Sequence, residues 1–132
     1  MAENTAKQFI DALHKLERDR DLETIVGLFS EDCEIGNVVT EDKDIGAEKF
    51  WSSYRESFGE VESTFRNEII TGGATALEWT TSGTNGEGNE FKYDGVSILE
   101  IDGEKITRFQ AYFDPNNLGR QIVDEKSKEE NG

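Results

Sequence analysis

Few side chains in this 132-residue sequence carry chemistry, and their spacing limits what that chemistry can be. His14 is the single histidine. It lies beside an apolar helical repeat and could act as a base, but no paired acid or nucleophile accompanies it, so a half-buried helix histidine is the simpler reading. Asn37 closes the run "CEIGN". Its amide both donates and accepts, so it could hold a carbonyl, a hydroxyl or a water, or cap a strand end. Trp51, Tyr54, Phe65, Trp79, Phe109 and Phe113 could line a concave apolar site for a flat or lipidic molecule, or fill a core. Asp114 precedes Pro115, where an aspartate serves turn and capping chemistry before catalysis. The acidic runs "SEDCE" and "TEDKD" could gather a divalent cation but lack the spacing of a calcium loop. Phosphate loops, nucleophile elbows and zinc spacings are missing, so neither metal nor cofactor is expected.

The elements that must position these groups follow from periodicity. Phe9, Ile10, Leu13 and Leu16 recur at helical spacing and predict an amphipathic helix over residues 5–18, capped at Asn4 or Thr5. Asp21 can cap a short second helix whose buried side is Leu22, Ile25, Val26, Leu28 and Phe29. A β-branched run predicts a strand over 33–39, and a third helix starts near Gly46 with Phe50, Trp51, Tyr54 and Phe58 on one side. From Val61 the period becomes two. Val61, Ser63, Phe65, Asn67 and Ile69 then share one face, while Glu62, Thr64, Arg66 and Glu68 take the other. Leu77 and Trp79 share a side, which turns Glu78 toward solvent or a subunit interface. "TNGEG" supplies a hairpin turn, and "DGE" joins the last two strands. In the closing strand Phe109, Ala111 and Phe113 form one apolar face, opposite Arg108, Gln110 and Tyr112. Helices first and an antiparallel meander after indicate an α+β domain, with three N-terminal helices packed on the concave face of a curved, mostly antiparallel sheet.

The chain has one domain's length, assigned to residues 1–123, with a charged tail over 124–132 expected to be disordered. The formal charge of −15 repels phosphate backbones and anionic membranes, so neither nucleic acid nor membrane is an expected partner. A lone cysteine, Cys33, excludes an intrachain disulfide and fits a packing role in a reducing compartment. The amino terminus lacks the apolar run of a signal peptide. A cytoplasmic protein is expected.

Four phrases in order, "FIDAL", "LFSEDCEIGNV", "IGAEKFWSSY" and "DGEKITRFQAYFD", resemble the NTF2-like superfamily, within it the SnoaL-like, ketosteroid-isomerase-like and limonene-epoxide-hydrolase-like branches. The resemblance implies a cystatin-like cone around one deep pocket, with the outer sheet face pairing two subunits. It also implies where catalytic groups would stand. The cyclase and hydrolase acid, three residues before the aspartate that ends the last strand, falls on Ala111. The hydrolase arginine and aspartate meet only "EWTT" at 78–81. The isomerase aspartate matches Asn37, which also matches a water-positioning asparagine of the hydrolases. The isomerase oxyanion tyrosine matches Phe9, and its partner acid falls near Val96, with Asp94 the nearest carboxyl group. A supporting tyrosine on the third helix matches Tyr54.

Hydrogen-bonding groups survive this comparison and acid–base groups do not. The expectation is a homodimer, paired through Val96, Ile98, Gln110 and Tyr112, whose pocket binds a small, largely apolar molecule. The pocket is expected from Phe9, Asn37, Trp51, Tyr54, Phe65, Trp79, Phe109, Ala111 and Phe113. Two rivals stand beside it: an enzyme in which Asp94 moves protons on a ketone-containing or polyketide-like substrate, and a dimeric interaction module with a filled interior.

Overall fold

The computed structural model describes residues 2–116, with side chains from residue 4; the tail at 124–132 lies outside the described residues. Helix α1 (Ala2–Asp19) and the single-turn α2 (Leu22–Val26) lead into β1 (Phe29–Asn37), and α3 (Ala47–Glu56) follows. A meander completes the chain: β2 (Phe58–Ile70), β3 (Thr75–Asn85), β4 (Glu90–Asp102) and β5 (Lys105–Phe113). The strands form one sheet in the order β1-β5-β4-β3-β2, antiparallel throughout except for the parallel pair β1 and β5. This is an α+β cone with its helices on the concave face.

Alternation places Leu77, Trp79, Thr81, Phe91, Tyr93, Ser97, Leu99, Phe109 and Ala111 on that face, all of them buried. Phe9 of α1 and Trp51 of α3 come down onto Phe109, with ring centroids 5.5 and 5.2 Å from it. The Trp51 ring meets Phe109 edge to face and the Phe9 ring meets it tilted, contacts that add to the burial of the rings themselves. No helix among the described residues is long and apolar enough to cross a membrane.

Four local expectations are corrected. Phe29 opens β1 instead of ending α2, because Leu28 accepts the Ile106 amide at 2.8 Å and draws the chain onto the sheet. Val38 and Val39, expected in the strand, are 41% and 61% exposed in a turn that Asn37 closes. Phe58 begins β2 instead of completing the α3 stripe; Ser57 caps the helix by bonding the Ser53 carbonyl at 2.7 Å, and Phe58 stacks on Phe91. The fourth concerns β2. Phe65 pairs with Trp79 and Asn67 with Glu78, so Arg66 is an extra residue that forms a bulge. Past the bulge the alternation reverses, turning Asn67 and Ile69 to the outer face, where Ile69 is 64% exposed.

β2 is an edge strand, which would ordinarily leave backbone groups unpaired. At Ser63 helix α1 supplies the partners. The Ser63 amide donates to Glu17 Oε1 at 2.9 Å, and His14 Nε2 donates to the Ser63 carbonyl at 2.9 Å. The two side chains sit one helical turn apart and together hold the strand edge to the helix.

Candidate functional site

Between α1, α3 and the inner sheet face lies a cavity of about 440 Å³, and all nine residues expected at a pocket border it. Their placement follows from the two periods. Phe9 comes from α1, Trp51 and Tyr54 from α3, and Phe65, Trp79, Phe109, Ala111 and Phe113 point inward from alternate positions of the meander. Trp79 can lie flat over the sheet because its cross-strand neighbour is Gly95, where a Cβ would come within 2.5 Å of the indole ring.

Ala111 is 8% exposed and pairs across the sheet with Ser97 on one side and Asn37 on the other. A methyl group thus stands where the resemblance places an acid, flanked by two polar neighbours. Ser97 Oγ accepts the Trp79 indole N–H at 2.9 Å. The Asn37 Oδ1 is committed to its own turn, accepting from the Val39 amide at 2.9 Å and from Thr40 Oγ1 at 3.1 Å. Asn37 therefore caps the strand end, and only its amide nitrogen remains for the cavity it borders. The buried indole N–H of Trp51 has no hydrogen-bond partner among the described residues.

Asp94, the expected stand-in acid, is on the wrong side of the sheet. Alternation along β4 puts it on the outer face, its side chain 68% exposed, bonded to Thr80 Oγ1 at 2.5 Å and 3.6 Å from the Arg66 guanidinium. Glu78 shares that outer cluster through Arg66 and Asn67. Exposed pairs of this kind contribute little stability and cannot reach the cavity. Val96 is on the same outer face. Asp114 accepts the Asn116 amide at 3.0 Å, the turn chemistry expected of it. Cys33 packs in the core, where burial pushes its thiol pKa up. Among the described residues no three His, Cys, Asp or Glu side chains converge as metal ligands.

One buried carboxylate beside the cavity is not among the residues expected from the sequence. Glu17 is 3% exposed and lies just behind the cavity wall, accepting from the Ser63 amide at 2.9 Å, from Ser63 Oγ at 2.6 Å and from Tyr54 Oη at 2.9 Å. Ser63 Oγ in turn meets Thr81 Oγ1 at 2.7 Å. Three polar residues of the cavity wall, Tyr54, Ser63 and Thr81, are thus joined to one buried acid. Burial, reinforced by the Glu17 charge, raises the pKa of both Tyr54 and Tyr93 well above the usual phenol value. The signal was present: Glu17 follows Leu13 by four residues and Phe9 by eight, which puts it on the apolar face of α1. A carboxylate on that stripe must find buried donors.

A family model of the SnoaL-like domain matches residues 6–109. No curated protein matches the chain by sequence. Similar solved structures include an LEH-like epoxide hydrolase of M. tuberculosis, 19% identical with a TM-score of 0.71, the match covering 92% of this chain and 91% of that one. TerC, co-crystallised with polyporic acid, is 22% identical with a TM-score of 0.74 over 90% of this chain and 98% of that one. An NTF2-like protein from Anabaena variabilis is 15% identical with a TM-score of 0.78 over 89% and 92%. At these identities the likeness is one of fold.

Proposed function

Because the chain belongs to the SnoaL-like domain family, we propose that its cavity binds a small, largely apolar organic molecule and holds it without the acids of the catalytic branches. The observation that carries this reading is the cavity itself. Its volume of about 440 Å³ lies within the ~300–1,000 Å³ usual for small-molecule sites, and its wall is aromatic with a few polar groups. A solid interior, as an interaction module would have, fits such a space poorly. The crystallisation of TerC with polyporic acid lends support from a protein of the same fold.

Binding is favoured over catalysis because Ala111 offers no proton acceptor and Glu17 already accepts three hydrogen bonds behind the wall. Proton transfer is the second reading. It would have to pass from the cavity through Tyr54 or Ser63 to Glu17, with Asp94 playing no part. Pairing of two copies through the outer sheet face and a cytoplasmic location belong to the same proposal; Ile69 and Tyr112 on that face are 64% and 47% exposed, while Gln110 is only 5% exposed and contributes little.

Equilibrium dialysis against naphthalene, with Trp51→Leu as control, tests the central point. Saturable uptake by the parent and at least tenfold weaker uptake by the variant are expected, since the ring lost is a wall of the cavity. Failure of the parent to take up naphthalene would overturn the reading.

A further inference from the structure

We propose that the cavity recognises a hydroxyl group on its ligand, selecting molecules that donate a hydrogen bond over equally shaped ones that only accept, and that Glu17 sets this polarity. The inference rests on the reading of the cavity as a small-molecule site. Its ground is the direction of the hydrogen bonds around Glu17, which follows from one fixed donor.

A backbone N–H can only donate, so the Ser63 amide makes Glu17 Oε1 an acceptor. The carboxylate Oε2 likewise accepts from both the Tyr54 and Ser63 hydroxyls. Ser63 has then spent its only proton, so the 2.7 Å contact to Thr81 must use the proton of Thr81. Every proton of Tyr54, Ser63 and Thr81 thus points along a chain that ends in Glu17. These three residues border the cavity with lone pairs alone to offer it. A ligand carbonyl or ether brought against them would meet oxygen lone pairs; a ligand O–H would meet acceptors. Glu17 does not touch the ligand and acts as a positioning residue.

The same geometry dictates its own inversion. In Glu17→Gln the amide oxygen must take the Oε1 place, because the Ser63 amide still donates there, and the NH₂ group then replaces Oε2. Its two N–H groups donate to Tyr54 Oη and Ser63 Oγ, which frees the Tyr54 proton for the cavity. Each partner is kept, with the 2.6 Å contact to Ser63 lengthening slightly, while the wall changes from acceptor to donor. The remaining polar groups at the cavity, among them the Trp51 indole N–H, Tyr93, Ser97 and the Asn37 amide, are common to the parent and Glu17→Gln, so they cancel in the comparison.

The experiment is equilibrium dialysis of the parent, Glu17→Gln and Tyr54→Phe against 2-naphthol, 2-methoxynaphthalene and naphthalene, each protein first checked for a cooperative thermal transition. The parent should bind 2-naphthol about three- to tenfold more tightly than its methyl ether, the worth of one neutral hydrogen bond. That ratio should fall to one or below in Glu17→Gln and toward one in Tyr54→Phe, whatever either change does to naphthalene affinity. The same ratio in all three proteins, or a parent ratio of one or below, would overturn the inference while leaving the cavity reading intact. Should Glu17→Gln not fold, Tyr54→Phe decides alone: a reduced ratio supports the inference and an unchanged one overturns it. If none of the three probes binds the parent, the cavity reading fails and this inference falls with it.

Discussion

Replacing Ala111 with aspartate would restore a carboxyl group to the place the resemblance reserves for one, and its titration would report what that place is. The side chain is 8% exposed, lies between Phe109 and Phe113 on the inner face, and borders the cavity, so a carboxyl there would be directed into it. Desolvation by the aromatic wall raises its pKa, and the Ser97 hydroxyl and Asn37 amide across the sheet offset part of that rise. Full burial shifts a carboxyl by ~3–5 units; with two polar neighbours a rise of about 2 units above the usual ~3.9 is the reasonable figure. The native state then binds more protons than the unfolded chain between about pH 4 and pH 6, so stability falls as pH rises, by ~1.4 kcal/mol per unit, and levels off above the folded pKa. Relative to the parent, Ala111→Asp should therefore lose about 1 kcal/mol at pH 4.5 and about 2.7 kcal/mol at pH 7.5, beyond any constant packing cost. Urea denaturation of both proteins across that range measures the difference. A difference that does not vary with pH would show a carboxyl in water and refute the placement of Ala111 in an apolar cavity. One that shrinks as pH rises would mean that hydrogen bonding outweighs desolvation, against the argument.

Glu17→Ala strands the Ser63 amide and should cost on the order of 2–4 kcal/mol in urea denaturation; a loss below about 1 kcal/mol would show the network to be of little consequence. Gly95→Ala drives a methyl against the Trp79 ring and the Tyr112 carbonyl, at 2.5 and 2.6 Å, and should destabilise by about 1–3 kcal/mol while shifting tryptophan emission. An unchanged spectrum and stability would mean that Trp79 is not held over Gly95. Tyr54 and Tyr93 have raised pKa values, chiefly through burial, so their ionisation works against folding above the unfolded phenol value of ~10. Phenolate absorbance from two of the three tyrosines should therefore rise together with alkaline unfolding; ionisation of all three in the folded protein would contradict their burial. Sedimentation should find a dimer at micromolar concentration that Tyr112→Glu dissociates, and a monomeric parent would dismiss pairing through the outer face.

Much of this arrangement was written in spacing. The period of two in β5 is enough to place Phe109, Ala111 and Phe113 on one face, and the helical period of α1 and α3 turns Phe9, Trp51 and Tyr54 toward it, because a side chain's direction is fixed by its own backbone. The same rule, followed without interruption, misplaced Ile69: a single extra residue at Arg66 reverses the alternation, and a bulge depends on the partner strand as much as on its own sequence. A bulky apolar residue suits the end of either period, so spacing alone puts Phe29 and Phe58 in helices; pairing with Ile106 and stacking on Phe91 place both in strands. Asn37 was legible as a polar group at a strand end, but its turn bonds decide that its oxygen is not available to a ligand. Glu17 marks the limit most clearly. Its position on the apolar stripe of α1 is a local fact, and its donors on Ser63 stand 46 residues away on a strand edge. Local spacing records which way a side chain points. What it meets there is decided only when helix and sheet close on one another, and that closure, with the bond directions it imposes, makes a buried acid the organiser of the cavity wall.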